Sequence, residues 1–424
     1  MSTVAPFVDL LEHVVDNRGR TCPTSTSGTP LIATNCVKDT TLFPVFEKVR
    51  YVDEATMSTW FRGHPEPGDI LFVCKGSPGQ TCIVPEPVNF CIAQDMVAVR
   101  ADKNKIYPAY LFAALRSPVV QSQIANMHVG TMIPHFKKGD FDKLLIPLPD
   151  EATQIAIGDL YLRLSEKIDL NRRMNETLEA QARALFRDWF VDFGPVKAKM
   201  AGDTPYLAPD LWSLFPSRVD DDGVPEGWEA AMLDAFAISQ NRKANPEEVD
   251  EGTAYIGLEH MPRRSIALAE WEGAEKVTSA KSRFKRREIL FGKLRPYFHK
   301  VGIAPIDGIC STDIVVLAPK KQRFEALTLA CVSTDEFVAF TDQSSTGTKM
   351  PRTSWKIMRT YPMVKPDDAV ADAFQQLCAP MFDRILANIG ENQSFAQTRD
   401  LLLPKLMSGE IRVCDAASEE LSAA

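Results

Sequence analysis

Residues 152–193, ATQIAIGDLYLRLSEKIDLNRRMNETLEAQARALFRDWFVDF, contain no proline and a single glycine, Gly158. Apolar residues recur at alternating steps of three and four, which is one helix face sustained over several heptads. One seam runs Ile157, Leu164, Asn171, Leu178, Leu185; its neighbour runs Tyr161, Ile168, Asn175, Ala182, Trp189. A helix of about 39 residues is roughly 58 Å long at about 1.5 Å per residue. That is too long for an ordinary globular helix, and its stripe asks for a partner helix.

The partner lies in the same chain. Adding 217 to the seam positions carries Ile157 to Phe374, Leu164 to Met381, Ile168 to Ile385, Asn171 to Asn388, Asn175 to Asn392 and Ala182 to Arg399, within residues 369–407. A polar residue in an apolar seam costs stability but fixes register, so Asn171, Asn175, Asn388 and Asn392 are candidate register residues. Pro380, Gly390 and Pro404 fall inside this second stretch, and a kink or broken turns are expected there. The repeat extends outside the helices: Asp69-Ile70-Leu71-Phe72 is echoed by Glu288-Ile289-Leu290-Phe291, Asp95 by Asp313, and Gly130-Thr131-Met132-Ile133-Pro134 by Gly347-Thr348-Lys349-Met350-Pro351. A spacing near half the chain describes a tandem duplication of a globular domain followed by a long helix.

The expected organisation is α+β: a domain at 1–150, a long helix at 151–193, a linker at 194–227, a second domain at 228–365, a second long helix at 366–413 and a disordered tail at 414–424. The linker is expected to pack, because it carries Trp212 and Phe215 and is followed by Trp228. Within the first domain, strands are expected at 68–74, 81–84 and 96–100, a proline-broken helix pair at 107–127, and an extended segment at 144–149 leading into the long helix with Thr153 as a cap. Nine cysteines without a CxxC pair fit buried thiols in a reducing cytoplasm. No signal peptide and no apolar run of about 18 residues is found, so neither export nor a membrane is expected.

Net charge is −8, but residues 366–424 hold 4 Lys+Arg against 10 Asp+Glu, and the two domains are near neutral. Basic faces on them remain open. Enzyme motifs are missing: no GxxxxGK[ST], no GxGxxG after a strand, no HExxH. Gly76-Ser77-Pro78-Gly79 reads as a hairpin turn. Asp150 and Asp367-Asp368 read as helix-start acids that favour the dipole rather than as nuclease carboxylates. Asn245-Pro246-Glu247-Glu248 lacks the aromatic that would stack on an extruded base. No catalytic residue and no metal ligand is assigned.

The informative pattern is basic and aromatic. Lys281, Arg283, Lys285, Arg286, Arg287, Lys293, Arg295, His299 and Lys300 interleave with Phe284, Phe291, Tyr297 and Phe298. Cations neutralise phosphates and aromatics stack on bases, which suits nucleic acid; a solvated basic face is the plain alternative. Lys75, Ser77 and Gln80 occupy the equivalent hairpin of the first copy. The Gly-Thr loops add Thr131, His135, Lys137 and Lys138 in one copy and Thr348, Lys349, Arg352, Thr353 and Ser354 in the other. Such side chains can read base edges.

Three stretches carry a family resemblance: 166–178 (EKIDLNRRMNETL) with 185–193 (LFRDWFVDF), 399–411 (RDLLLPKLMSGEI), and the pair Pro67-Gly68-Asp69-Ile70-Leu71 and Gly347-Thr348-Lys349-Met350-Pro351. Over essentially its whole length the chain resembles the specificity (S) subunits of Type I restriction–modification enzymes. The resemblance implies two target recognition domains separated by two long antiparallel helices in a coiled coil. It also implies a double-stranded DNA target, two modification (M) subunits docked on the helices, and restriction (R) subunits in the full complex. No cofactor is implied in this chain; S-adenosylmethionine belongs to the M subunit, and ATP and Mg to the R subunit. The chain itself is then not an enzyme. A nuclease or methyltransferase in its own right and a purely protein-binding coiled-coil adaptor are the competing readings.

Overall fold

The computed structural model describes residues 3–411 except 18, 20, 93, 128–133 and 346–349. Thr131, Thr348, Lys349 and the 414–424 tail lie outside the described residues. The chain divides into two compact units, one of residues up to Leu170 together with those from Ser394 on, the other Asn171–Gln393.

In the first unit a four-stranded antiparallel sheet has the order Leu11–Val15, Met96–Ala101, Ile70–Val73, Thr81–Ile83. A second sheet joins Arg50–Val52, Thr29–Ile32 and Cys91–Ile92, the last two strands parallel. Thr3–Pro6 pairs with Leu145–Leu148, so the proline-bearing segment is a strand of a two-stranded ribbon. Pro118 does split the following helical region, into Pro108–Arg116 and Pro118–Met127. The core gathers Phe7, Phe72, Phe112, Phe136 and Phe141, all essentially inaccessible.

The second unit repeats the order. Its four-stranded antiparallel sheet runs Ala237–Gln240, Ile314–Pro319, Ile289–Gly292, Val301–Ile303. Glu229–Met232 pairs with Pro362–Lys365 as the two-stranded ribbon. The other sheet has five strands, in the order Lys243–Ala244, Lys281–Phe284, Gly308–Cys310, Ala254–Ile256 and Glu272–Gly273, again with one parallel pair. The 194–227 segment is more regular than its proline and glycine content suggests: Gly194–Ala201 and Pro209–Leu214 are helical. It packs, as Phe215 lies 4.9 Å edge-on to the fully buried Trp189.

Two long helices, Glu151–Phe190 and Asp368–Ser408, contribute to both units. The first is capped by Asp150 rather than Thr153: its carboxylate accepts the Thr153 N–H at 3.0 Å and the Thr153 hydroxyl at 2.8 Å. Gly158 is explained by close approach. A Cβ there would sit 2.5 Å from the Tyr110 nitrogen at the start of the neighbouring helix, a collision that outweighs the helix propensity Ala would add.

The second helix is unbroken at Pro380, Gly390 and Pro404, against expectation. Pro380 and Gln376, and likewise Pro404 and Asp400, lie away from the core, exposed or half-exposed, where water can take the carbonyl bond each proline forfeits. An interior proline costs about 3 kcal/mol. Burying Phe374, Phe382, Ile385, Leu386 and Ile389, at roughly 1.5–3 kcal/mol each, outweighs it. All eight described cysteines are buried thiols, and burial pushes Cys378 up to about 12.

The seam asparagines meet across an antiparallel pair, so the residues that touch are not the repeat-related ones. Asn388 Nδ2 donates to Asn175 Oδ1 at 2.7 Å, and Asn171 Nδ2 donates to Asn392 Oδ1 at 2.9 Å and Glu391 Oε2 at 3.0 Å. Asn388 is wholly inaccessible. Its replacement by Ala strands Asn175 without a partner and is expected to cost about 1–3 kcal/mol in urea unfolding, whereas leucine at both positions restores most of the loss. A single variant as stable as the parent chain would contradict this.

Candidate nucleic-acid interface

In each unit a turn leaving the sheet is stitched by backbone bonds to a loop some 60 residues later. In the first unit, Gly76 N–H donates to Pro134 O at 3.0 Å and Phe136 N–H to Cys74 O at 2.8 Å, bridging Lys75 to His135. In the second, Arg295 N–H donates to Pro351 O at 2.8 Å and Thr353 N–H to Lys293 O at 3.1 Å, bridging Leu294 to Arg352. A carbonyl under each turn completes the frame: Asp95 O accepts Cys74 N–H at 2.8 Å, and Asp313 O accepts Lys293 N–H at 2.8 Å. These aspartates were visible in the sequence as an echo, but nothing there marked them as part of the site.

In the first unit this frame presents Lys75, Ser77, Lys137 and Lys138 exposed, with Gln80 and His135 half-buried. Lys75 lies 3.9 Å from Asp95 and Lys138 lies 3.5 Å from Asp16; both are exposed pairs of small energetic weight. The turn is held from inside. Gln121 Nε2 donates to Gly79 O at 3.0 Å, and just past the turn Arg116 Nε donates to Thr81 Oγ1 at 3.1 Å.

In the second unit the basic run does not form one patch. The Ile289–Gly292 strand separates its two halves, and a strand of that length with its flanks spans roughly 16 Å at about 3.3 Å per residue. At one end lie Arg283, Lys285 and Arg286. Arg283 and Lys285 line a cleft of about 730 Å³ with Arg242, Trp271, Glu272 and Asp307. Arg283 donates to Glu248 O at 2.9 Å, Arg286 Nε to Pro305 O at 3.1 Å, and Lys285 and Arg286 are exposed. Arg287 leaves the surface set: it pairs with Glu325 at 2.7 Å and with Asp383 of the second long helix.

At the other end lie Lys293, Arg295, Tyr297 and Arg352. Tyr297 is 50% exposed at the tip of the turn, and Arg352 pairs with Asp313 at 3.0 Å. Four residues expected here are buried or half-buried. Lys300 Nζ donates to Leu258 O, and burial pushes its pKa down. Thr353 is buried, and Ser354 is half-buried at the start of a short helix, Trp355–Met358. His299 is buried, with Nδ1 3.1 Å from Asp335 and Nε2 3.0 Å from Ser333 O. Arg263, absent from the sequence reading, stacks over Phe298 at 4.2 Å; nothing in the chain near Phe298 signalled it.

The turn is also anchored to the first long helix within this unit. Glu179, 2% exposed, accepts Ser265 Oγ–H at 2.7 Å and Ile266 N–H at 3.0 Å, and Arg264 N–H donates to His299 O at 2.9 Å. Among the described residues, Glu259, His260 and Glu272 bring possible metal ligands within 4.8 Å. The His260 Nδ1 lone pair, however, already accepts Gly257 N–H at 2.9 Å. No described helix is long and apolar enough to cross a membrane.

Residues 31–180 match the Type I restriction modification DNA specificity domain. The chain is 26% identical over 399 residues to the Type I restriction enzyme HindI specificity subunit of Haemophilus influenzae, covering 81% of this chain and 86% of that one. It is 22% identical over 322 residues to the MjaIX specificity subunit of Methanocaldococcus jannaschii, covering 73% and 71%. The crystal structure of a Type I restriction–modification S subunit from M. genitalium shares the fold, with a TM-score of 0.53 at 15% identity over 95% of each chain. These curated relatives carry the description of specificity subunits of Type I restriction enzymes.

Burial pushes His299 below its ordinary 6.5, against the Ser333 carbonyl and Asp335, which favour the proton, and with help from Arg264. The unfolded chain therefore binds the proton first as pH falls. Stability supplied by neutral His299 is full above about 6.5 and is lost as pH drops through the folded value. Thermal unfolding followed from pH 7.5 to 5 is expected to show this slope and to show less of it in His299→Asn, which suits the left-handed backbone there. Identical slopes would refute the assignment.

Proposed function

We propose that the chain is the DNA-recognition subunit of a Type I restriction–modification enzyme and reads a bipartite, asymmetric target with an unread spacer. Residues 1–150 and 228–365 act as the two target recognition domains. The helices within 151–193 and 366–413 form the coiled coil that sets the spacer and docks two M subunits, with R subunits joining in the full complex. S-adenosylmethionine chemistry resides in M, and ATP-driven, Mg-dependent cleavage in R. The protein acts in the cytoplasm, on DNA.

One observation carries this reading: the same stitched frame recurs in both units with different side chains on it. Shared backbone placement supports a common docking mode, and unlike side chains support unlike half-sites. Contacts to phosphate supply register, and contacts to base edges supply sequence. Half-site centres about 34 Å apart would put both on one face of the duplex. The Lys75 and Arg295 turns, with His135, Lys137, Lys138, Lys293, Tyr297 and Arg352, are the proposed contacts. Arg283, Lys285 and Arg286 at the far end of the strand would meet backbone phosphates rather than bases.

The methylome of cells co-expressing this chain with its cognate M subunit tests the proposal. A bipartite motif is expected only when the chain is present, and exchange of 228–365 is expected to alter one half-site alone. No added methylation, with M folded and bound to the chain, would favour the adaptor reading.

A further inference from the structure

Both units make the same demand on the turn backbone and answer it differently. In the first unit the two positions with positive φ are Gly76 at 92° and Gly79 at 91°. In the second they are Arg295 and His299, each at 51°. The hydrogen bonds establish the equivalence. Gly76 and Arg295 donate to Pro134 O and Pro351 O, and the turns close through Val73 N–H to Gln80 O and Gly292 N–H to Lys300 O, both at 2.9 Å. Glycine takes this conformation without steric cost, and a bulky side chain does so uncommonly. Strain kept where glycine would serve points to a use for the side chain.

His299 has a structural use, since both ring nitrogens are engaged in the interior. Two other arginines of this unit also sit at positive φ, Arg264 at 59° and Arg287 at 72°. Arg264 pairs with Asp335 at 2.9 Å and Arg287 with Glu325 at 2.7 Å. Arg295 differs from both. Its side chain makes no hydrogen bond or ion pair with a described residue, its Nε is buried without a partner, and its guanidinium carbon is 5.9 Å from the Phe298 ring centre. The backbone beneath it is fixed by Pro351, by Arg264 through His299, and by Glu179 through Ser265 and Ile266. A planar fork on an over-determined turn is placed accurately, as base reading requires. A phosphate contact needs no such placement, and a lysine such as Lys293 would supply it.

We propose that Arg295 is a specificity-determining residue of the second unit and reads a guanine edge in the major groove through O6 and N7. This rests on the chain being a DNA-recognition subunit, and it adds the residue and the base. Arg pairs bidentately with guanine, and no other base offers two acceptors in that arrangement.

The test uses the complex assembled with the cognate M subunit. Arg295→Gly reproduces the residue of the first copy and removes strain, so its melting temperature is expected at or above that of the parent. In the methylome, one guanine position of one half-site is expected to become degenerate, with discrimination reduced about 10- to 100-fold; the other half-site stays as it was. A duplex with 7-deazaguanine at that position lacks N7, and is expected to weaken binding of the parent complex but not of Arg295→Gly. Uniform weakening across sequences with a shallower salt dependence would make Arg295 a phosphate clamp and overturn the proposal, as would an unchanged motif. A parent complex with no sequence preference would overturn the specificity reading itself, whereas a parent motif that survives Arg295→Gly removes only the role of this arginine.

Discussion

The backbone bond from Gly76 to Pro134, and its counterpart from Arg295 to Pro351, determines what either unit can present. Each joins the end of a central sheet strand to a loop that follows a helix pair or its equivalent, so side chains far apart in sequence share one edge. A main-chain bond is indifferent to side-chain identity. The surface can therefore change while the frame stays. The same indifference explains why Lys75 and Gly76 can stand in one copy where Leu294 and Arg295 stand in the other without any change in strand order.

The long helices obey a different constraint. Their apolar seams have to be buried, and the seam's contribution exceeds the cost of its imperfections. Two prolines and a glycine are tolerated in the second helix because they lie off the seam. The asparagines lie on it and bond across it, Asn388 to Asn175 and Asn171 to Asn392, with Glu391 as a further acceptor for Asn171. Gly158 marks where the first helix and a neighbour approach too closely for a methyl group, which fixes the helix's rotation about its own axis in that unit.

Much of this was legible in the chain. Period and length reveal the helices, short continuous apolar runs beside turn residues reveal the central strands, and self-similarity at about half the chain reveals the repeated frame. The site was legible only as composition. The basic run of 281–300 reads as one cluster because sequence distance ignores that a strand traverses it; the strand sends Lys285 and Tyr297 to opposite ends. His299 and Lys300 read as surface cations, since Ser333, Asp335 and Leu258, which draw them inward, come from elsewhere in the chain. The cap was misplaced by three residues because Asp and Thr are both good caps, and only geometry tells which carboxylate or hydroxyl faces the free N–H groups. The backbone cost at Arg295 was invisible, as φ is not written in a sequence; only comparison with Gly76 exposes it.

The five-stranded sheet of the second unit ends on both sides in strands of two residues, Lys243–Ala244 and Glu272–Gly273. Open sheet edges recruit strands from other molecules, and short charged edges discourage this. A two-residue edge with Lys243 exposed on one side and Glu272 on the other offers little template to a second chain. At this sheet, which the first unit builds with fewer strands, pairing with a strand of a second molecule is therefore disfavoured.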